Sequence, residues 1–212
     1  GAVFARGGAP DPAPPAIDEV RAMWVLRTSL GSPAQVAGLV RTARANGFNT
    51  LLVQVRGRGD AYFRGGLEPL PPELRRQRDG YDPLADVLTT GHAAGLRVHA
   101  WVNVNLVSSA AEIPSAPEHL VHRHPEWLMV PRDIAQPLAA IGPSSPAYLG
   151  TLARWTRSQP ADVEGLYASP IHPAAAAHAE AVVRDLVRRY AVDGVHLDYA
   201  RYPGDRFDYS PA

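Results

Sequence analysis

Three times in this chain a dipeptide ending in proline opens an amphipathic run, a glycine turn closes it, and a short apolar stretch follows. Ser32-Pro33 precedes Val36, Leu39, Val40 and Ala43 at helical spacing; Gly47 ends that run, and Thr50 to Val55 is apolar. Asp82-Pro83 precedes Leu84, Val87, Leu88 and Gly91, closed by Gly95, and Arg97 to Asn105 follows. His172-Pro173 precedes Ala179, Val182, Val183, Leu186, Val187 and Tyr190, then Asp193-Gly194 turns the chain into Val195 to Asp198. A polar residue before a first-turn proline starts a helix, and glycine just past the last apolar position stops one. Short apolar strands alternating with such helices specify a parallel sheet covered by helices. With Ala22 to Leu30 as the first strand, the expected fold is α/β of the parallel (β/α) TIM-barrel type. It is a partial barrel of about four βα units, since eight units typically take about 250 residues.

Two connections are long for such a fold, in which about two to six residues are usual. Ala61 to Tyr81 carries several prolines, and Leu106 to Pro170, the excursion after the third strand, carries His124-Pro125-Glu126-Trp127 and a short helix near Tyr148 to Thr156. Connections of this length inside a compact domain serve as lids and binding loops. Residues 1–20, rich in Gly, Ala and Pro, read as a disordered leader, and residues 21–212 as the barrel part.

Lys plus Arg equals Asp plus Glu at 21 each, which removes the broad basic field that nucleic acid requires and suits a neutral ligand such as a sugar. The absence of cysteine excludes disulfides, thiolate metal sites and cysteine nucleophiles. No run approaches the roughly 18 apolar residues of a membrane helix, so no membrane span is expected.

The chemistry gathers at strand ends. In the last strand His196 and Asp198 share one face while Val195, Leu197 and Tyr199 share the other, and Arg201 and Tyr202 follow at once. In the third strand His99, Trp101, Asn103 and Asn105 alternate with apolar residues, and a polar face on a buried strand needs a partner or a ligand. The second strand delivers Gln54 and Arg56 into Gly57-Arg58-Gly59-Asp60, with Tyr62 beyond. The bland alternatives are a core-filling Trp101, a satisfied core His99, and a structural ion pair of Asp198 with Arg201. His196 and Asp198 alone make no metal site, and the Gly-rich turn lacks the Gly-Lys-Ser/Thr of a phosphate loop. No metal and no cofactor is expected.

Gln54-Val55-Arg56-Gly57 with Gly59-Asp60-Ala61-Tyr62, Asp82-Pro83-Leu84, and Gly95 to Asn103 occur in order. They are followed by His124-Pro125-Glu126-Trp127, His172-Pro173, and Val192 to Pro203. In these blocks the chain resembles the glycosyl-hydrolase-like family 10 proteins, over roughly Arg21 to Pro203; Asp133 to Asp162 does not match the pattern. The resemblance implies a bacterial barrel acting on a cell-wall or other polysaccharide, in the periplasm or outside the cell. It implies Asp198 as the catalytic carboxylate, nucleophile or base, with Arg201 or a neighbouring donor holding it ionised. It also implies a sugar site built from Gln54, Arg56, Asp60, Tyr62, His99, Trp101, Asn103, His196, Tyr199 and Arg201. Glycoside hydrolysis takes two carboxyl groups, about 5 Å apart for retention and about 6.5–9.5 Å for inversion. Asp60, Glu112, Glu126, Asp193 and Asp205 are the nearest others by topology, none at a strand end, so the general acid is expected on a strand beyond Ala212. The alternatives are a non-catalytic glycan-binding module or scaffold on a degenerate barrel, and half-barrels pairing through open sheet edges.

Overall fold

The computed structural model describes residues 19–77, 80–159 and 163–210. Most of the leader expected over residues 1–20 lies outside the described residues.

Four parallel strands, β1 (Ala22–Val25), β2 (Thr50–Arg56), β3 (Arg97–Asn103) and β4 (Gly194–Asp198), lie side by side in sequence order. The helices are α1 (Pro33–Ala45), α2 (Pro72–Arg75), α3 (Pro83–Ala93), α4 (Leu120–Arg123), α5 (Ala135–Ile141), α6 (Pro146–Arg157) and α7 (Pro173–Arg189). β1–α1, β2–α3 and β3–α7 are three complete βα units leading to a fourth strand, the order of a TIM-type barrel.

The punctuation acts as local chemistry predicts. Ser32 Oγ accepts from Gln35 N at 3.3 Å, and Asp82 Oδ1 from Ala85 N at 3.1 Å, each ahead of a first-turn proline. Gly47 and Gly95 take φ of 75° and 70° just past α1 and α3, a conformation open to glycine at little cost. The first strand is shorter than expected: it ends at Val25, and Arg27–Leu30 form a 3₁₀ turn. β3 ends at Asn103 rather than Asn105, and the helix expected near Tyr148 to Thr156 spans Pro146–Arg157.

One face of the sheet packs on the helices: Val25, Leu51, Val53, Val55, Val98, Ala100 and Val102 share a buried core with residues such as Val36 and Val40 of α1, Leu84 and Val87 of α3, and Leu186 of α7. The excursion has its own core, including Val107, Leu128, Leu138, Leu152 and Leu166. Its returning limb pairs antiparallel with its outgoing one at Leu106 and Tyr167, which seats it on the carboxyl end of β3. Among the described residues no helix is long and apolar enough to cross a membrane.

Candidate active site

The face of the sheet turned away from the helices builds up in layers, as barrel interiors do. Trp24, Leu52, His99 and Gly194 are in register, then Gln54, Trp101 and His196, then Asn103 and Asp198 at the top. The Trp24 ring meets the edges of Trp101 and His196, both with centroids 4.6 Å apart. In a flat sheet β1 and β4 stand about 14 Å apart, three strand spacings. Their side chains touch because the sheet curls toward this face. His99 lies half-buried against the backbone of Gly194, where a Cβ would come within 2.8 Å of its ring.

Asp198 ends β4 half-buried, with both carboxylate oxygens engaged. Trp101 Nε1 donates to Oδ2 at 3.1 Å, and the Tyr199 N–H donates to Oδ1 at 2.7 Å. Trp101 is therefore both an interior ring and a polar partner, which alternation alone does not reveal. Strand alternation stops at Asp198, because Tyr199 takes φ of +50°, a conformation uncommon for a bulky residue that makes its position worth a functional hypothesis.

Arg201 does not hold Asp198. It donates to Glu164 Oε1 at 3.0 Å and lies 5.1 Å over the Tyr199 ring. Glu164 also accepts the Tyr167 hydroxyl at 2.6 Å. Burial pushes the Glu164 carboxyl up, but the hydrogen bonds from Tyr167 and Arg201 outweigh it and hold the group below its ordinary range. Burial, then this same bond, pushes the Tyr167 phenol up. Glu164 thus joins the carboxyl edge from the excursion. Sequence reasoning missed it because that segment has no periodicity to place a side chain; its only signal was the neighbouring Gly165-Leu166-Tyr167.

Arg56 is turned away from Asp198. Gln54 pairs with Trp101 and Arg56 with Val102, leaving Val55 as the extra residue of a β-bulge. The bulge re-aims the side chain. Arg56 is 2% exposed and donates to Glu68 through Nε and Nη2, both at 2.6 Å, and to the Val104 carbonyl at 2.9 Å and that of Asn103. Its guanidinium clamps the ends of β2 and β3 and is not free for a sugar.

Gln54 accepts from Arg27 at 2.9 Å. Asp60 Oδ1 closes the turn after β2 by accepting from the N–H groups of Gly57 and Arg58, at 3.3 and 3.0 Å. Tyr62 is buried under Arg27 and donates to Glu73. Asn103 donates to the Gly57 carbonyl at 2.8 Å, while its buried Oδ1 has no partner among the described residues. The structure therefore brings His99, Trp101, Asn103, His196 and Asp198 onto one face with Gln54, and sets Tyr199 and Arg201 at its rim. Asp60 and Tyr62 stand in a neighbouring cleft, and Arg56 stands apart. Among the other carboxylates considered, Asp193 accepts from Val98 N at 2.7 Å and from His92 at 2.8 Å, at the opposite end of the strands. Glu126 pairs with His124 at 3.0 Å.

Comparison with known proteins extends the geometry. The chain is 25% identical over 162 residues to the glycosyl hydrolase YngK of Bacillus subtilis, covering 74% of this chain and 26% of that protein. It is 28% identical over 178 residues to the glycosyl hydrolase DigH of Escherichia coli, covering 76% and 34%. It spans about a quarter to a third of the length of these relatives. In fold it is similar to α-L-fucosidase isoenzyme 2 of Paenibacillus thiaminolyticus, with a TM-score of 0.53 at 18% identity over 84% of this chain and 23% of that one. It is equally similar to a hypothetical protein of Ruminiclostridium thermocellum, with a TM-score of 0.53 at 14% identity over 88% and 80%. The family model described as Glycosyl hydrolase-like 10 matches residues 19–212, and this chain belongs to that family.

Proposed function

We propose that this chain is the part of a glycoside hydrolase that carries the strand-end carboxylate Asp198, acting on a cell-wall or other exported polysaccharide. The observation that carries the reading is Asp198 itself: it crowns β4 on the curled face, with Trp24, Trp101 and His196 beneath it. Aromatic rings supply apolar faces for a pyranose ring, and the donors from Trp101 and the Tyr199 backbone fix the orientation of the carboxylate. So oriented, Asp198 serves as nucleophile or base, and Asn103 with Tyr199 borders the sugar.

The test is Asp198→Asn in the full-length protein. Glycan release should fall by roughly 10²–10⁴-fold while folding and glycan binding persist. Turnover at the wild-type rate would overturn the assignment.

One observation favours a second reading, a glycan-binding module without cleavage. The carboxylate that the excursion brings to this edge, Glu164, is held ionised by Tyr167 and Arg201, whereas a general acid must carry a proton. Tight glycan binding by the full-length protein with no release of product would favour it.

A further inference from the structure

A second cleft, of about 480 Å³, opens at the carboxyl ends of β1 and β2, lined among others by Arg27, Arg58, Asp60, Tyr62, Glu73 and Arg75. Most of its charges are committed. Asp60 Oδ1 accepts two main-chain N–H groups, Glu73 accepts the Tyr62 hydroxyl, and Arg75 pairs with Glu118 at 3.1 Å. Glu112, which also lines it, is exposed. Arg27 uses Nη1 on Gln54 and lies 5.7 Å over the Tyr62 ring, leaving its other N–H groups. Among the described residues the Arg58 guanidinium has no hydrogen bond and no ion pair.

The main chain under these two arginines is fixed. The Arg58 carbonyl is 2.9 Å from His119 Nε2, and the Arg58 N–H is held by Asp60. His119 Nδ1 accepts from Val121 N, so Nε2 bears the proton that Arg58 receives. A Cβ at Gly59 would come within 2.9 Å of His119 Nε2, and one at Gly57 within 2.3 Å of Arg27 Nη1. Glycine at 57 is what lets Arg27 cross the loop to reach Gln54 and stand beside Arg58. Burial, then the charge of Arg27, pushes the Arg58 guanidinium down, and the attraction of Asp60 does not restore it. Two cations are thus held together with one of them unpaired. A hydroxyl leaves their repulsion in place; an anion removes it. The planar guanidinium fork matches a carboxylate in particular. The cleft borders the candidate active site: Arg27, on its wall, donates to Gln54 of the interior face, and Asn103 of that face donates to the carbonyl of Gly57, the residue before Arg58.

We propose that this cleft holds the carboxylate of an acidic sugar unit, gripped by Arg58 and the free N–H groups of Arg27, while the neighbouring unit lies at Asp198. The proposal rests on the glycan reading above and adds the charge of the substrate.

The experiment probes the full-length protein on an array of matched bacterial oligosaccharides: uronate-bearing, the same chains methyl-esterified, sulfated, and neutral. Wild type is compared with Arg58→Gln and Arg58→Lys; thermal denaturation verifies that both variants fold. Binding to the uronate chains should exceed binding to their esters about tenfold, and Arg58→Gln should erase that preference while leaving neutral chains unchanged. Arg58→Lys should keep part of it. Equal binding of acid and ester, preference for the sulfated chains, or an unaltered preference in Arg58→Gln would overturn the proposal while the glycan reading stands. Failure of wild type to bind any glycan would overturn both.

Discussion

Replacing Glu68 by Gln removes the negative charge opposite a buried guanidinium while nearly preserving shape. The Arg56 and Glu68 side chains are each 3% exposed and form a bidentate pair, to which His178 adds a contact at 3.2 Å. Breaking a buried pair from one side costs about 3–5 kcal/mol, because the remaining charge is left uncompensated. At about 2–4 °C per kcal/mol for a chain of this size, the melting temperature should fall by about 6–20 °C. Acid gives an independent check. Burial pushes the Glu68 carboxyl up, but the charge of Arg56 and the hydrogen bonds from His178 and Arg56 outweigh it and bring it from 4.5 down to about 2. A carboxyl depressed on folding stabilises the fold above its unfolded value and loses that contribution as pH falls through its folded one. Wild type should therefore lose roughly 3 kcal/mol from this group between about pH 4.5 and pH 2, and Glu68→Gln should lack that part of the slope. Urea titrations at pH 7 and across the acid range measure both. A variant within about 1 kcal/mol of wild type at pH 7, or an unchanged acid slope, would refute the argument. Arg56→Met with Glu68→Leu should recover only part of the loss, because the Asn103 and Val104 carbonyls also depend on Arg56.

Three further outcomes follow from the geometry. Gly165→Ala would place a Cβ 1.7 Å from the Ser108 carbonyl oxygen, a backbone clash that no rotamer relieves; a loss of about 1–3 kcal/mol is expected, with faster amide exchange confined to the paired limbs around Leu106 and Tyr167. Asp82→Ala removes the α3 cap together with the acceptor for Tyr190 Oη at 2.6 Å and Arg64 N at 3.1 Å. It should cost about 2–3 kcal/mol in urea melts, more than the ~1 kcal/mol of a cap alone. Trp101→Phe keeps the ring contact with Trp24 but deletes the donor to Asp198. In the full-length protein it should slow glycan release about 10- to 100-fold in kcat, and equal kcat would show that the bond is dispensable.

The order of elements was legible in the chain because its signals are local. Ser32-Pro33, Asp82-Pro83 and His172-Pro173 start helices through hydrogen bonds or restraints within a few residues of themselves, and apolar runs such as Thr50 to Val55 bury themselves in any parallel sheet. The shared face of His196 and Asp198 followed from strand alternation, as did that of His99, Trp101 and Asn103. The tertiary structure decided what local rules do not reach. A single extra residue at Val55 turns Arg56 from the sheet interior to Glu68, and no residue in this strand marks the bulge in advance. Arg201 pairs with Glu164, 37 residues away, rather than with Asp198, three residues away, because the excursion folds back through its Leu106–Tyr167 bridge. Contacts across that span depend on how a loop with its own small core settles on the sheet, and this is set by packing among residues distant in sequence. The curl that brings Trp24 to His196 likewise belongs to the sheet as a whole, since no single strand contains it.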